Sequence, residues 1–186
     1  MKRGRSGDTL TGGTKDVNPQ WLTFNQLTLS AANTYTETTF AVPISRLPTA
    51  RGKSVVLEVL KVQFSWPDWD SNPAAGGQVA SANMQLRTNA SGAGFNQDDP
   101  VNLTQYKHSW RGAFTAAGSY MSEDSGVITM DLTDGAGHGL LVASDNLFFG
   151  ATTANYANAA AFHCRILYRF KDVTLEEYIG IVQSQQ

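Results

Sequence analysis

Apolar and polar residues alternate with a period of two over much of the chain, and the longest such run lies near its C-terminal end. In AAAFHCRILYRFK, residues 159–171, Ala160, Phe162, Cys164, Ile166, Tyr168 and Phe170 share one parity, and His163, Arg165, Arg169 and Lys171 share the other. Successive side chains of a strand point to opposite faces, so the run predicts a strand with one face in a core and a basic face opposite. A second long strand is predicted over residues 54–66. Leu60, Val62, Phe64 and Trp66 alternate there with Lys61, Gln63 and Ser65, while Val55, Leu57 and Val59 take the opposite parity. A bulge near Val59 reconciles the two halves: it turns all of these apolar residues inward and leaves Glu58 and Lys61 outward. Without it Glu58 faces the core, which costs too much for an unpaired carboxylate.

Six further strands are predicted over residues 21–30, 35–42, 79–88, 105–111, 127–132 and 147–152. In the first of them Leu22 and Phe24 share one parity and Leu27 and Leu29 the other, which requires a bulge near Asn25 or Gln26. Gly- and Pro-rich loops separate the strands, and no amphipathic helix of ordinary length is evident. Many strands between such loops mean a sandwich or barrel, and eight is the number of a jelly roll. The expected fold is therefore all-β, a single eight-stranded jelly-roll β-sandwich; an immunoglobulin-like or lectin-like sandwich gives a similar count. Residues 1–18 read as a short basic flexible arm, 19–172 as the sandwich and 173–186 as a C-terminal extension.

Composition narrows the picture. Only 16% of the residues are charged, against about 25% in a typical soluble domain. Low charge with much Gly, Ala, Ser, Thr and Asn suits surfaces hidden against neighbours, and suits loop-rich β proteins equally. The net charge of −2 gives no whole-chain argument for nucleic acid. Cys164 is the only cysteine, which excludes an intrachain disulfide framework and a Cys-rich zinc site. It lies on the apolar parity and reads as a small buried hydrophobe. No apolar run approaches the ~18 residues of a membrane span, so no membrane insertion is expected. The start MKRGRSGDTLTGG lacks the apolar stretch of a secretory signal, and the sequons at Asn89 and Asn102 are accordingly taken as chance matches.

No enzyme signature emerges. His108, His138 and His163 are far apart, without metal-ligand spacing, and no nucleophile elbow or phosphate-binding Gly loop is present. Asp68 with Asp70, and Asp98 with Asp99, read as solvated turn residues, since a hard cation needs six or more oxygen ligands. No catalytic residue, metal or cofactor is expected.

Two features remain. In a jelly roll the last strand pairs with the first and the third, so His163, Arg165, Arg169 and Lys171 are expected to join Lys61 in one basic patch, with Glu58 as the nearby acid. Such clusters bind phosphate backbones without sequence preference; an ordinary solvated face is the plainer alternative. Lys2, Arg3 and Arg5 make the N-terminal arm basic as well. The extension is strongly apolar for a chain end, through Leu175, Tyr178, Ile179, Ile181 and Val182. Thr174-Leu-Glu-Glu suits the opening of a helical turn, and YIGIVQ suits a strand equally. Apolar surface beyond a completed core needs cover from its own domain or from a neighbour's.

The stretches DVNPQWLTF, VVLEVLKVQF and LYRFKDVTLEEYIGIVQSQQ resemble the small capsid proteins of circular, replication-initiator-encoding single-stranded DNA viruses, over roughly residues 16–186. The resemblance implies a jelly-roll subunit that assembles with itself into a small icosahedral shell, located in the virion and passing through the host nucleus. It implies a single-stranded DNA genome held by non-specific backbone contacts, through Lys2, Arg3, Arg5, Lys61, His163, Arg165, Arg169 and Lys171. It also implies that the extension ties subunits together; no host receptor is indicated. The basic arm is much shorter than the family's usual Arg-rich one. A lectin-like module using Trp66, Trp69 and the Asp68/Asp70 loop as a sugar platform is the alternative.

Overall fold

Ten strands and one helix make up the computed structural model, which describes residues 18–42, 52–66, 79–90, 95, 99–111 and 127–185. In chain order the strands are β1 (Gln20–Thr23), β2 (Leu27–Thr28), β3 (Thr36–Ala41), β4 (Lys53–Ser65) and β5 (Val79–Arg87), then β6 (Asn102–Arg111), β7 (Ile128–Asp131), β8 (Leu140–Val142), β9 (Asn146–Ala154) and β10 (Ala161–Thr174). Helix α1 (Leu175–Ser184) follows without a break. One sheet has the order β1-β10-β4-β7, with β2 also on β10 and β8 also on β4; the other has the order β3-β9-β5-β6. Taking β1 with β2 and β7 with β8 as interrupted single strands gives eight, in two antiparallel four-stranded sheets. That is the jelly roll expected from the sequence, with the last strand between the first and the third.

Both expected bulges are present. Thr23 pairs with Arg165 and Leu27 with Phe162, so the first strand carries one residue more than its partner across the interruption at residues 24–26. In the β4–β10 pair, Leu167 faces Lys61 while Tyr168 faces Val59, which leaves Leu60 as the extra residue. Leu57, Val59, Val62, Phe64 and Trp66 thereby enter the core. Leu60 is buried outside that core and Val55 is half-buried, so the inward set is smaller than the alternation implied.

The two sheets meet through aromatic rings. Phe24 lies 5.1 Å from Phe40 and 6.1 Å from Phe149, and Phe64 stacks 6.0 Å from Phe149. Phe149, from β9, thus meets one ring from β4 and one from the interruption between β1 and β2. Trp66 closes one end, stacked on Tyr106 at 5.8 Å and tilted against His108 at 5.4 Å. Cys164 sits fully inside, and burial pushes its thiol well above the ordinary range, as suits a packed hydrophobe. Replacing Phe149 by Ala leaves a cavity between the sheets and should cost about 3–5 kcal/mol in urea unfolding. A loss below about 1 kcal/mol would mean the ring cluster does not join the sheets.

Candidate nucleic-acid face and assembly helix

The period of β10 and the bulge at Leu60 together place Lys61, His163, Arg165, Arg169 and Lys171 on one face of the β1-β10-β4-β7 sheet, opposite the core. Lys2, Arg3 and Arg5 lie outside the described residues, as do Trp69, Asp68, Asp70 and Asp98.

Two of the cations are already matched. Lys61 stands opposite Asp131 in the β4–β7 register, with Nζ 3.0 Å from the carboxylate. The hydroxyl and backbone N–H of Thr133, and then Lys61, hold the Asp131 carboxyl at about 2. Asp131 therefore stays charged far below neutral pH. Arg169 stands opposite Glu58 and donates from Nε to its carboxylate at 2.5 Å. Arg165 instead donates to Gln63 and lies 4.6 Å over the Trp21 ring, a cation–π contact. Among the described residues Arg165 and Lys171 form no ion pair. The patch is one face, but about half its charge is compensated.

Glu58 departs from expectation. It points outward from the core, yet it is 0% exposed. The DGAGHG turn folds back over the outer face of the sheet and roofs it. Asp134 builds that turn: its carboxylate accepts the N–H groups of Ala136 and His138 at 2.9 and 2.8 Å. Gly137 adopts φ +82°, where glycine is at ease. Gly139 then donates its N–H to Glu58 Oε1 at 2.8 Å, so close to the sheet that any Cβ would overlap the Val59 carbonyl oxygen. Burial pushes the Glu58 carboxyl up, but the hydrogen bonds from Arg169 and Gly139 and the charges of Arg169 and Lys171 outweigh it and hold it below its ordinary value.

The extension is a helix rather than a single turn or a strand. Thr174 caps it: its hydroxyl accepts the Glu177 N–H at 3.2 Å, and the Glu177 carboxylate accepts the Thr174 N–H at 2.8 Å. This reciprocal pair fixes the helix start immediately after β10. Tyr178, Ile181, Val182 and Gln185, spaced as one helical stripe, are half-buried. Gln185, which the apolar pattern did not single out, anchors the far end: its amide donates to the Leu141 carbonyl at 2.7 Å and accepts the Ala143 N–H at 3.2 Å. On the other side Leu175 is 53% and Ile179 47% exposed, one turn apart. No residue of the helix is fully buried.

Other candidates fall away. Trp66 is buried in the core and offers no sugar platform. Asp99 is held by the Val101 N–H and by an ion pair with Arg87 at 2.5 Å, which lowers its pKa. Among the described residues no three His, Cys, Asp or Glu side chains cluster as metal ligands, and no helix is long and apolar enough to cross a membrane.

The buried pair gives a pH prediction. Because the folded Glu58 carboxyl lies below its unfolded value of 4.5, its contribution is complete above that pH and is lost as the pH falls through the folded value. Glu58→Gln should cost about 3 kcal/mol at about pH 7, since it leaves Arg169 without its counter-charge. Urea unfolding should show the gap from the parent narrowing as the pH falls below 4.5. A gap independent of pH would contradict the charged pair.

No family model matches the chain, and no curated protein matches it in sequence. Among solved structures, the fold is similar to VP1 of Trichodysplasia spinulosa-associated polyomavirus in complex with sialylated precision glycooligomers, with a TM-score of 0.53 at 10% identity over 87% of this chain and 96% of that one. VP1 of Merkel cell polyomavirus in complex with disialyllactose superposes with a TM-score of 0.46 at 12% identity, over 76% and 78%. At such identities the likeness is one of fold, and the two antiparallel sheets match the jelly roll of the first of these capsid proteins.

Proposed function

We propose that the protein is a viral capsid subunit that assembles with copies of itself into a small icosahedral shell around a single-stranded DNA genome. The observation that carries this reading is the jelly roll with helix α1 held outside it, Leu175 and Ile179 turned to solvent. An exposed apolar ridge on a completed domain marks an interaction site. In a closed shell that ridge meets a neighbouring subunit, and heterologous contacts of this kind close into rings. The fold likeness to VP1 agrees with this role. The chain acts as a structural protein, located in the virion and assembling in the host nucleus.

The genome meets the outer face of the β1-β10-β4-β7 sheet, where Arg165 and Lys171 supply the available charge. Lys61, His163 and Arg169 frame it, and Lys2, Arg3 and Arg5 extend it from the N-terminal arm. Contacts of this kind follow phosphate charge and carry no base preference.

Two measurements test the reading. The double variant Leu175→Gln/Ile179→Gln should remain folded, with an unchanged melting temperature, but run as a single subunit in size-exclusion chromatography where the parent forms megadalton particles. A parent that is itself a monomer or small oligomer would favour a glycan-binding jelly roll instead. For the genome face, Arg165→Gln/Lys171→Gln is the informative pair, because Arg169 is needed by Glu58. It should lower the 260/280 nm ratio of purified particles and reduce the salt slope of DNA binding by about 1.4, at about 0.7 per phosphate contact. An unchanged ratio and slope would remove the face from genome contact.

A further inference from the structure

The outer face of the β1-β10-β4-β7 sheet is roofed around Glu58 and Arg169 by the turn at residues 133–139, but it carries a hollow at its other end. The hollow holds about 250 Å³ and crosses all four strands, lined among the described residues by Thr23 of the first, His163 and Arg165 of β10, Gln63 and Ser65 of β4, and Val127 beside β7. Among the described residues no carboxylate lines it. Trp21 extends its wall: it lies on the same face as Thr23, is 45% exposed, and has the Arg165 guanidinium 4.6 Å over its ring. Gln63 fixes that guanidinium, accepting from Arg165 Nε while donating to the Thr129 hydroxyl at 2.9 Å.

We infer that this hollow is a subsite for a single unpaired nucleobase, which stacks on the Trp21–Arg165 pair. A large indole left half-exposed on an edge strand is costly in water, and a planar guanidinium laid on it covers one part only. Stacked aromatic and guanidinium planes are the common platform for unpaired bases, and they tolerate every base because each has a π-face. Thr23, Ser65 and His163 put two hydroxyls and an imidazole along the wall, where base edges hydrogen-bond. Arg165 is also a phosphate-binding cation of the proposed face, so one residue serves both backbone and base. A double helix does not fit this use, since its bases are stacked on each other. The inference rests on the proposed genome-facing role of this sheet, and it adds a preference for single strands that charge alone does not give.

The test is binding of the full-length chain, kept as single subunits by Leu175→Gln/Ile179→Gln, to a fluorescent oligothymidylate and to an abasic deoxyribose-phosphate oligomer of equal length and charge. The base-bearing oligomer should bind about five- to a hundredfold more tightly, the range for one or a few stacked bases. Trp21→Leu, which keeps an apolar side chain without a ring, should erase that difference; Trp21→Phe should retain most of it. Thermal melting of each variant establishes that it is folded. Equal binding of both oligomers to the parent would overturn the base subsite while leaving the genome-facing charge intact. Absence of binding to either would overturn both.

Discussion

One unpaired residue in the longest strand pair governs the rest of the structure. Leu60 has no partner on β10, and its insertion rotates the lower half of β4 by one face relative to the upper half. Strand register has a period of two, so without this insertion either Leu57 and Val59 or Val62 and Phe64 face water. With it, β4 and β10 present a continuous apolar surface to the core and keep their ionisable groups together on the outside. Glu58 and Arg169 come opposite each other as a consequence, as do Gln63 and Arg165. The ion pair, the Arg165 anchor and the inter-sheet contact of Phe64 with Phe149 are all downstream of that single residue.

The outer face so created is not left uniform. Its lower half accepts cover: the Asp134-built turn lies over Glu58 and Leu60, and Val56 and Val173 are buried as well although they point away from the core. A carboxylate there is tolerable only because a guanidinium and a glycine N–H meet its oxygens. Gly139 is required for the close approach, which makes the roof and the charge pair one device. The other half of the face carries Trp21, Arg165 and His163, with no roof among the described residues.

Much of this was legible in the sequence, because alternation reports the face of each residue directly. The eight strands, both bulges, the burial of Cys164 and the gathering of Lys61 with the β10 cations followed from parity and from where a last strand sits in a jelly roll. What parity does not report is whether an outward face meets water. Glu58 was expected to be outward; it is outward and also buried, since its cover arrives from residues 133–139, far away in sequence and without any periodic signal of their own. The compensation of Lys61 by Asp131 escaped for the same reason: it depends on β7 register, which no local pattern fixes. In α1 the Thr174–Glu177 capping box was visible, but a 10-residue helix with a glycine and three β-branched residues also reads as a strand. Parity placed Trp66 inward, and it is buried against Tyr106 and His108; only the lectin-like alternative set it at the surface.

The small number of available cations has a consequence for how such a face works. On the proposed reading, two cations outside ion pairs and one stacked base give a single subunit only weak hold on a nucleic acid, and that hold weakens further at physiological salt. In the proposed shell the same few contacts recur on every subunit along one continuous strand. Each contact after the first is then made at a high effective concentration, so their energies combine although each is slight. Strong binding thereby becomes a property of the assembly, and a free subunit releases nucleic acid readily. In the proposed shell the ridge of Leu175 and Ile179 and the outer sheet face are therefore coupled: the first determines whether the second has enough copies in place to hold a genome.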